Sequence, residues 1–266
     1  MITVAFCNHK GGVGKTSSVL NIGAQLSKKH RVLLIDLDSQ ANLTHTLSQG
    51  KEHKETIYEA LKGKIKEFPV LPIVEVSDRL SYVPSCLDLS GAELELSTQA
   101  GAQCILRELL ENFEEEGKKW GGMYKYDYCL IDCPPSLSLL TVNALTVSDF
   151  VLIPTQAEAY AVHGLTKLIE VISLIKKRLN PGLQEPLFCI TQYDKRKTLL
   201  KQVADSLRDR FGKRLLLPPI RNNIAIAEAQ AQGKSIFSYD SASIGAEDYA
   251  LLSEALSEIL EHYKYT

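Results

Sequence analysis

Short apolar runs recur at 2–7, 31–36, 81–84, 127–132, 149–154, 187–193 and 215–217, with helical patterns between most of them. Continuous apolar runs of this length predict strands buried on both faces. Their alternation with helices predicts an α/β fold, a mostly parallel twisted sheet with helices on both faces. A helix is expected from about Thr16 to Lys28, where Val19, Leu20, Ile22, Ala24 and Leu26 can pack on the sheet. Ala161, Leu165, Leu168, Ile172, Ile175 and Leu179 form a second helical stripe, which reads as core. The last helix, about Gly245 to Tyr263, sets Tyr249, Leu252, Leu256, Ile259 and Leu260 against an acidic side of Glu247, Asp248, Glu254, Glu258 and Glu261. Residues 48–79 are the least regular and are expected to cover one edge of the sheet. Residues 111–122 read as a frayed helix end and a loop.

At 266 residues with 45% apolar content, the expectation is one domain over 1–266. No apolar run reaches the length of a membrane span, and Met1-Ile-Thr-Val enters a strand directly, so no signal peptide is expected. Six scattered cysteines, most of them in apolar runs and none in a C-x-x-C pair, argue for reduced thiols in a cytosolic protein and against a zinc or iron–sulfur site.

The first apolar run leads into His9-Lys10-Gly11-Gly12-Val13-Gly14-Lys15-Thr16-Ser17. Glycines let a backbone wrap closely around phosphates and turn successive N–H groups inward, and the following helix adds the positive end of its dipole. Lys15 is placed to reach β- and γ-phosphates and Thr16 to ligate Mg²⁺. His9 stands where the strict G-x-x-x-x-G-K-S/T pattern has its first glycine. Two later runs end in acids. Arg31-Val-Leu-Leu-Ile-Asp36 continues into Asp38, Gln40 and Asn42, and Asp127-Tyr-Cys-Leu-Ile-Asp132 continues into Cys133-Pro134-Pro135. A competing reading makes Asp132 only a helix cap for the segment at Ser136.

Lys10-Gly-Gly-Val-Gly-Lys15-Thr resembles the deviant Walker A loop of the ParA/MinD family of P-loop ATPases. The D-x-D-x-Q-x-N segment from Asp36 looks like that family's switch I, and Asp132 with its prolines like Walker B running into switch II. Val151-Leu-Ile-Pro154-Thr, Glu158, Gly164-Leu165, the stretch Gly233 to Asp240 and Gly245 to Tyr249 match further family blocks, so the resemblance runs nearly end to end. Within the family the chain is most similar to ParA-type, Soj-like partitioning ATPases without a DNA-binding domain ahead of the loop.

The resemblance implies ATP held by Lys10, Gly11, Gly12, Val13, Gly14, Lys15, Thr16 and Ser17. Thr16, Asp36 and Asp132 would serve Mg²⁺. Lys15 and Asp38 would act at the γ-phosphate, Asp38 by aligning water, and Lys10 would reach across a homodimer to the partner's nucleotide. It also implies a slow ATPase stimulated by a ParB-like partner, binding of non-specific DNA in the ATP state, and a cytoplasmic, nucleoid-associated protein. Charge bears on the DNA expectation. Net charge is −2, yet residues 163–237 carry +8 and the remainder −10. The candidate DNA contacts are Lys195, Arg196, Lys197, Lys201, Arg208, Arg210, Lys213, Arg214 and Arg221, the last standing where many members carry proline. An ordinary row of solvated ion pairs is the competing reading. Gln192, Tyr193 and Asp194 are candidates for the base. Two alternatives stay open. One is a MinD-like membrane-cycling regulator with no stable membrane attachment expected here, since the acidic last helix opposes anionic lipid. The other is a small-molecule ATP-dependent ligase of the dethiobiotin-synthetase kind. Tyr263 and Tyr265 also bring to mind the tail of bacterial tyrosine kinases, without the cluster those carry.

Overall fold

The computed structural model describes residues 1–119, 121–122, 124–158 and 161–264. Trp120 and Tyr265 lie outside them, as does the Ala161 side chain.

Eight strands form one sheet in the order β3-β4-β2-β5-β1-β6-β7-β8. They are β1 Ile2–Phe6, β2 Val32–Asp36, β3 Val74–Ser77, β4 Leu80–Val83, β5 Tyr128–Asp132, β6 Phe150–Gln156, β7 Leu187–Thr191 and β8 Leu215–Leu216. All neighbours pair in parallel except β3 with β4. The central strands are buried at every position because both faces are covered.

The helices are α1 Lys15–Leu26, α2 Asn42–Ser48, α3 Ile57–Leu61, α4 Leu89–Ser97, α5 Ile105–Lys119, α6 Leu139–Val147, α7 Ala161–Arg178, α8 Thr198–Phe211, α9 Ile224–Ala231, α10 Ile236–Tyr239 and α11 Ile244–Lys264. On one face Val4 and Phe6 of β1 join Val19, Ile22 and Leu26 of α1 and Tyr249, Leu252, Leu256 and Leu260 of α11. On the other, Ala5 and Cys7 join Phe113 of α5, Leu145 of α6, Leu165, Leu168, Ile172 and Ile175 of α7, and Leu207 of α8. The stripe expected on α7 is therefore core from Leu165 onward, and the apolar side of α11 is spent on the fold. Helix α1 lies so close to the sheet that a Cβ on Gly23 would meet Leu34 Cδ2 at 2.7 Å.

Two segments differ from expectation. The irregular stretch 48–79 does reach the sheet edge, but through a strand of its own, β3, paired antiparallel on β4. Residues 111–119 are not frayed: α5 runs to Lys119 because Phe113 is buried among Tyr124, Tyr126 and Phe68. Leu106, Leu110, Phe113 and Gly117 are buried at helical spacing along α5, a stripe that the surrounding glutamates and glycine masked in the sequence. No helix among the described residues is long and apolar enough to cross a membrane.

Candidate functional site

The chain leaves β1 into the phosphate loop at the point where the strand order turns outward on both sides, with β5 on one flank of β1 and β6 on the other. The carboxyl ends of β1, β2, β5, β6 and β7 meet there, the place where open α/β sheets bind ligands. Residues at or after the ends of β1, β2, β5 and β7 border a cavity of about 1120 Å³. Gly11, Gly12, Gly14, Lys15, Thr16, Ser17 and Asp38 line it. Val13 does not line it, and its side chain is buried. Gly12 and Gly14 sit at φ +70° and +79°, left-handed conformations that an L side chain resists. Gly14 caps α1 without a side-chain acceptor, which leaves the first N–H groups of the helix for an anion.

The two strand-end acids face each other across the β2–β5 ladder, Asp36 opposite Asp132, both fully buried, and differ in their partners. Asp36 Oδ2 accepts from the Thr44 N–H at 2.9 Å and the Thr44 hydroxyl at 2.7 Å, while Oδ1 accepts from the Asp38 N–H at 3.1 Å. Burial pushes its pKa up to about 6, against the pull of those hydrogen bonds. Its oxygens are thus committed to α2 and to switch I, a holding task that the strand-end position alone did not reveal. Asp132 is fully buried, and among the described residues no donor meets either of its oxygens in hydrogen-bond geometry, although the Thr16 hydroxyl lies close enough to lower its proton affinity. Burial drives its proton affinity well above the usual carboxylate range. Asp36 and Asp38 add to that, and the neighbouring Thr16 hydroxyl and Lys15 ammonium oppose it. An orphaned carboxylate beside a P-loop threonine fits a hydrated divalent cation, whose charge and bound waters would satisfy both oxygens. A helix-capping role does not fit, because α6 starts at Leu139 with Ser138 as its cap residue.

Asp38 is held from three sides. Its Oδ1 accepts from the Gln40 N–H at 3.0 Å, its N–H goes to Asp36, and its carbonyl accepts from the Ser85 hydroxyl at 2.8 Å. Ala41, three residues on, has a left-handed φ of +51°. A β-carbon in that region costs about 1 kcal/mol or more, and such strain gathers at working loops.

Lys10 does not line the cavity. Its ammonium donates to Gln156 Oε1 at 2.8 Å, at the end of β6, and to Glu158 Oε2 at 2.6 Å, two residues beyond it, both in its own chain. The sequence reading missed Thr191 and assigned Gln192 to the base, whereas both grip the loop. Gln192 Nε2 donates to the Gly12 carbonyl at 2.7 Å, and the Thr191 hydroxyl to the Val13 carbonyl at 2.8 Å. The available signal was their place at the end of β7, next but one to the loop strand. Ser17 is likewise tied to α9, its hydroxyl donating to Gln230 Oε1 at 2.7 Å.

Of the three base candidates only Gln192 borders the cavity, and its amide is turned to the loop. Asp194 is drawn away by Arg196, whose hydrogen bonds hold its pKa down at about 2. The wall that faces the loop is instead Ile220 to Asn223 with Ile224, Ile226 and Gln230.

The nine candidate DNA cations separate into two groups. Arg196 pairs with Asp194, Arg208 with Asp205 and Arg214 with Glu185. Arg221 leaves the set altogether. Its guanidinium grips the buried Asp248 through Nε and Nη2, and Nη2 also reaches Glu247 at 2.6 Å. These partners raise its pKa further and fix the chain between β8 and α9 to α11. Lys195, Lys197, Lys201 and Lys213 are exposed and have no carboxylate partner among the described residues, and Arg210 donates only to the Thr166 hydroxyl.

Fold and site together define a P-loop nucleotide-binding protein of the doubly wound α/β class. A family profile described as an AAA domain matches residues 1–185. The chromosome partitioning protein ParA of Caulobacter vibrioides is 39% identical over 254 residues, covering 94% of this chain and 91% of its own. Among solved structures, a putative plasmid partition protein of Borrelia burgdorferi bound to AMPPNP superposes with TM-score 0.79 at 28% identity, covering 97% of this chain and 99% of the other. Cobyrinic acid a,c-diamide synthase of Mycobacterium smegmatis with bound ATP analog and magnesium does so with TM-score 0.78 at 32% identity, covering 99% and 96%. The chain belongs to the ParA/Soj family of chromosome-partitioning ATPases.

Proposed function

We propose that the chain is a Mg²⁺-dependent ATPase of the ParA type, which forms an ATP-bound homodimer, binds DNA without sequence preference in that state, and positions a plasmid, chromosome or other cargo with a ParB-like partner. The carrying observation is one cavity that brings Lys15, Thr16 and Asp38 together, with the buried Asp132 carboxylate next to Thr16 and Lys15. Gly11 to Ser17 would hold the polyphosphate through backbone N–H groups and Lys15. Thr16 and Asp132 would hold Mg²⁺, which neutralises charge developing on the transferred phosphoryl group. Asp38 aligns water for in-line attack, and Lys10 acts on the partner's nucleotide once its contacts to Gln156 and Glu158 are exchanged.

DNA binding falls to Lys195, Lys197, Lys201, Lys213 and Arg210, the cations left without carboxylates. Facing phosphates needs only such exposed charge, and a dimer doubles it. A nucleoid-associated protein of the cytoplasm follows from that reading. A membrane-cycling role is disfavoured because α11 buries its apolar side against α1 and the sheet.

The likeness to the diamide synthase supports a second reading, a small-molecule ATP-dependent ligase on the same fold. One experiment separates the two. DNA retention and light scattering are measured with and without ATP on the Asp38→Ala protein. The partition reading expects a dimer and DNA binding only with ATP. Turnover in the parent protein that ignores DNA, with no ATP-dependent dimer in the variant, would favour the ligase.

A further inference from the structure

Strand β7 ends abruptly at Thr191. Gln192 turns into the left-handed region at φ +52°, one of three described non-glycine residues to do so, and Ala41 of switch I is another. The turn carries the Gln192 side chain back over the strand ends to the phosphate loop, where its amide donates to the Gly12 carbonyl at 2.7 Å. Gln156, paired with Thr191 in the β6–β7 register, donates to Gln192 Oε1 at 2.7 Å and to the same Gly12 carbonyl at 3.3 Å. Thr191 itself donates to the Val13 carbonyl at 2.8 Å, with its methyl in van der Waals contact with the position of a Gly14 Cβ.

These are contacts to the carbonyls of a loop that works through its N–H groups. A glycine-rich loop has few side chains to fix its peptide planes, and each plane can turn. A trans peptide is rigid, with its C=O and the following N–H pointing in opposite directions. Holding the Gly12 carbonyl toward Gln192 therefore aims the Val13 N–H the opposite way, and holding the Val13 carbonyl toward Thr191 does the same for Gly14. An inward carbonyl would meet a phosphate with the wrong sign.

We infer that Gln192 and Thr191 are positioning residues that set the Val13 and Gly14 N–H groups for the polyphosphate, and that the left-handed turn at Gln192 exists to bring its amide to the loop. The inference rests on the nucleotide-binding reading of this cavity. It accounts for a strained residue which neither the strand nor the base requires.

The test is equilibrium binding of a fluorescent ATP and a fluorescent ADP with Mg²⁺, alongside thermal melting of the nucleotide-free protein. Gln192→Met keeps length and removes the amide. Gln192→Asn suits the left-handed turn but falls one methylene short. Both are expected to weaken ATP and ADP alike, by about fivefold to tenfold, the usual scale of one lost hydrogen bond. The nucleotide-free melting temperature should stay that of the parent. Thr191→Val should show a similar loss and Thr191→Ser should restore binding, a rescue that a packing role would not give. Parental affinity in both Gln192 variants, or a loss matched by a fall in nucleotide-free stability, overturns the inference. Lys15→Ala run in parallel separates the two levels. If that variant binds like the parent, the reading of the cavity fails and the inference with it. If it loses binding while the Gln192 variants do not, only the inference fails.

Discussion

Lys10 Nζ lies 2.6 Å from Glu158 Oε2 of its own chain, and both side chains are about half exposed. An exposed pair of this kind contributes about 1 kcal/mol or less, so exchanging it for a partner's phosphates meets little resistance. Lys10→Ala is therefore expected to leave the melting temperature almost unchanged while removing ATP-induced self-association, read by light scattering. Normal association and turnover in that variant would end the two-protomer account.

Asp38 borders the cavity from outside the glycine-rich loop. Asp38→Ala should retain ATP, dimerise and fail to turn over, measured by phosphate release under saturating ATP. A variant that hydrolyses at the parental rate would show that the residue aligning water is another.

Asp132 is a buried carboxylate whose oxygens meet no donor in hydrogen-bond geometry among the described residues. Asp132→Asn should make the nucleotide-free protein more stable at neutral pH, by about 2 kcal/mol, because a desolvated charge is removed. Folding raises this group's proton affinity, so the folded form takes up the proton first as pH falls. The advantage of the variant should then shrink toward acid, where the parent is neutral too. The same variant should bind Mg²⁺-ATP more weakly. Urea titrations at two pH values and nucleotide binding with and without Mg²⁺ read both arms. Unchanged stability would mean that the carboxylate finds partners in solution.

Arg221 and the free lysines should respond in opposite ways. Arg221→Met leaves the buried Asp248 without its partner and is expected to cost about 2 kcal/mol, less than a fully buried pair because the guanidinium is one-third exposed. Paired replacement of Lys197 and Lys201 by alanine should leave stability alone. It should also lower the log–log salt slope of DNA binding by about 0.9 for each phosphate that is no longer neutralised. A stable Arg221→Met protein with a reduced salt slope would return Arg221 to the DNA surface.

Chemistry written in neighbouring residues was legible along the chain. Gly11 to Ser17 are contiguous and follow a run that can only be a buried strand, so loop, strand and helix α1 imply one another. Asp36 and Asp132 each close such a run, which places both at the sheet's carboxyl edge without further information. The division of labour between them was hidden. It depends on Thr44 of α2 reaching back to one acid and on no donor among the described residues meeting the other in hydrogen-bond geometry. Strand β3 escaped notice because a four-residue edge strand, with Glu75 and Ser77 facing water, lacks the apolar run that marks the central ones.

Local order along the backbone carried the elements, the loop and the acids, because side-chain period and glycine freedom act over a few residues at a time. Partnership came from the folded chain. Nothing near Arg221 names Asp248 as its counter-ion, nothing near Gly12 announces Gln192, and nothing in a basic stretch shows which cations are already neutralised. Hydrogen bonds and ion pairs depend on distance through space, which linear spacing leaves open until the sheet order brings remote strand ends together.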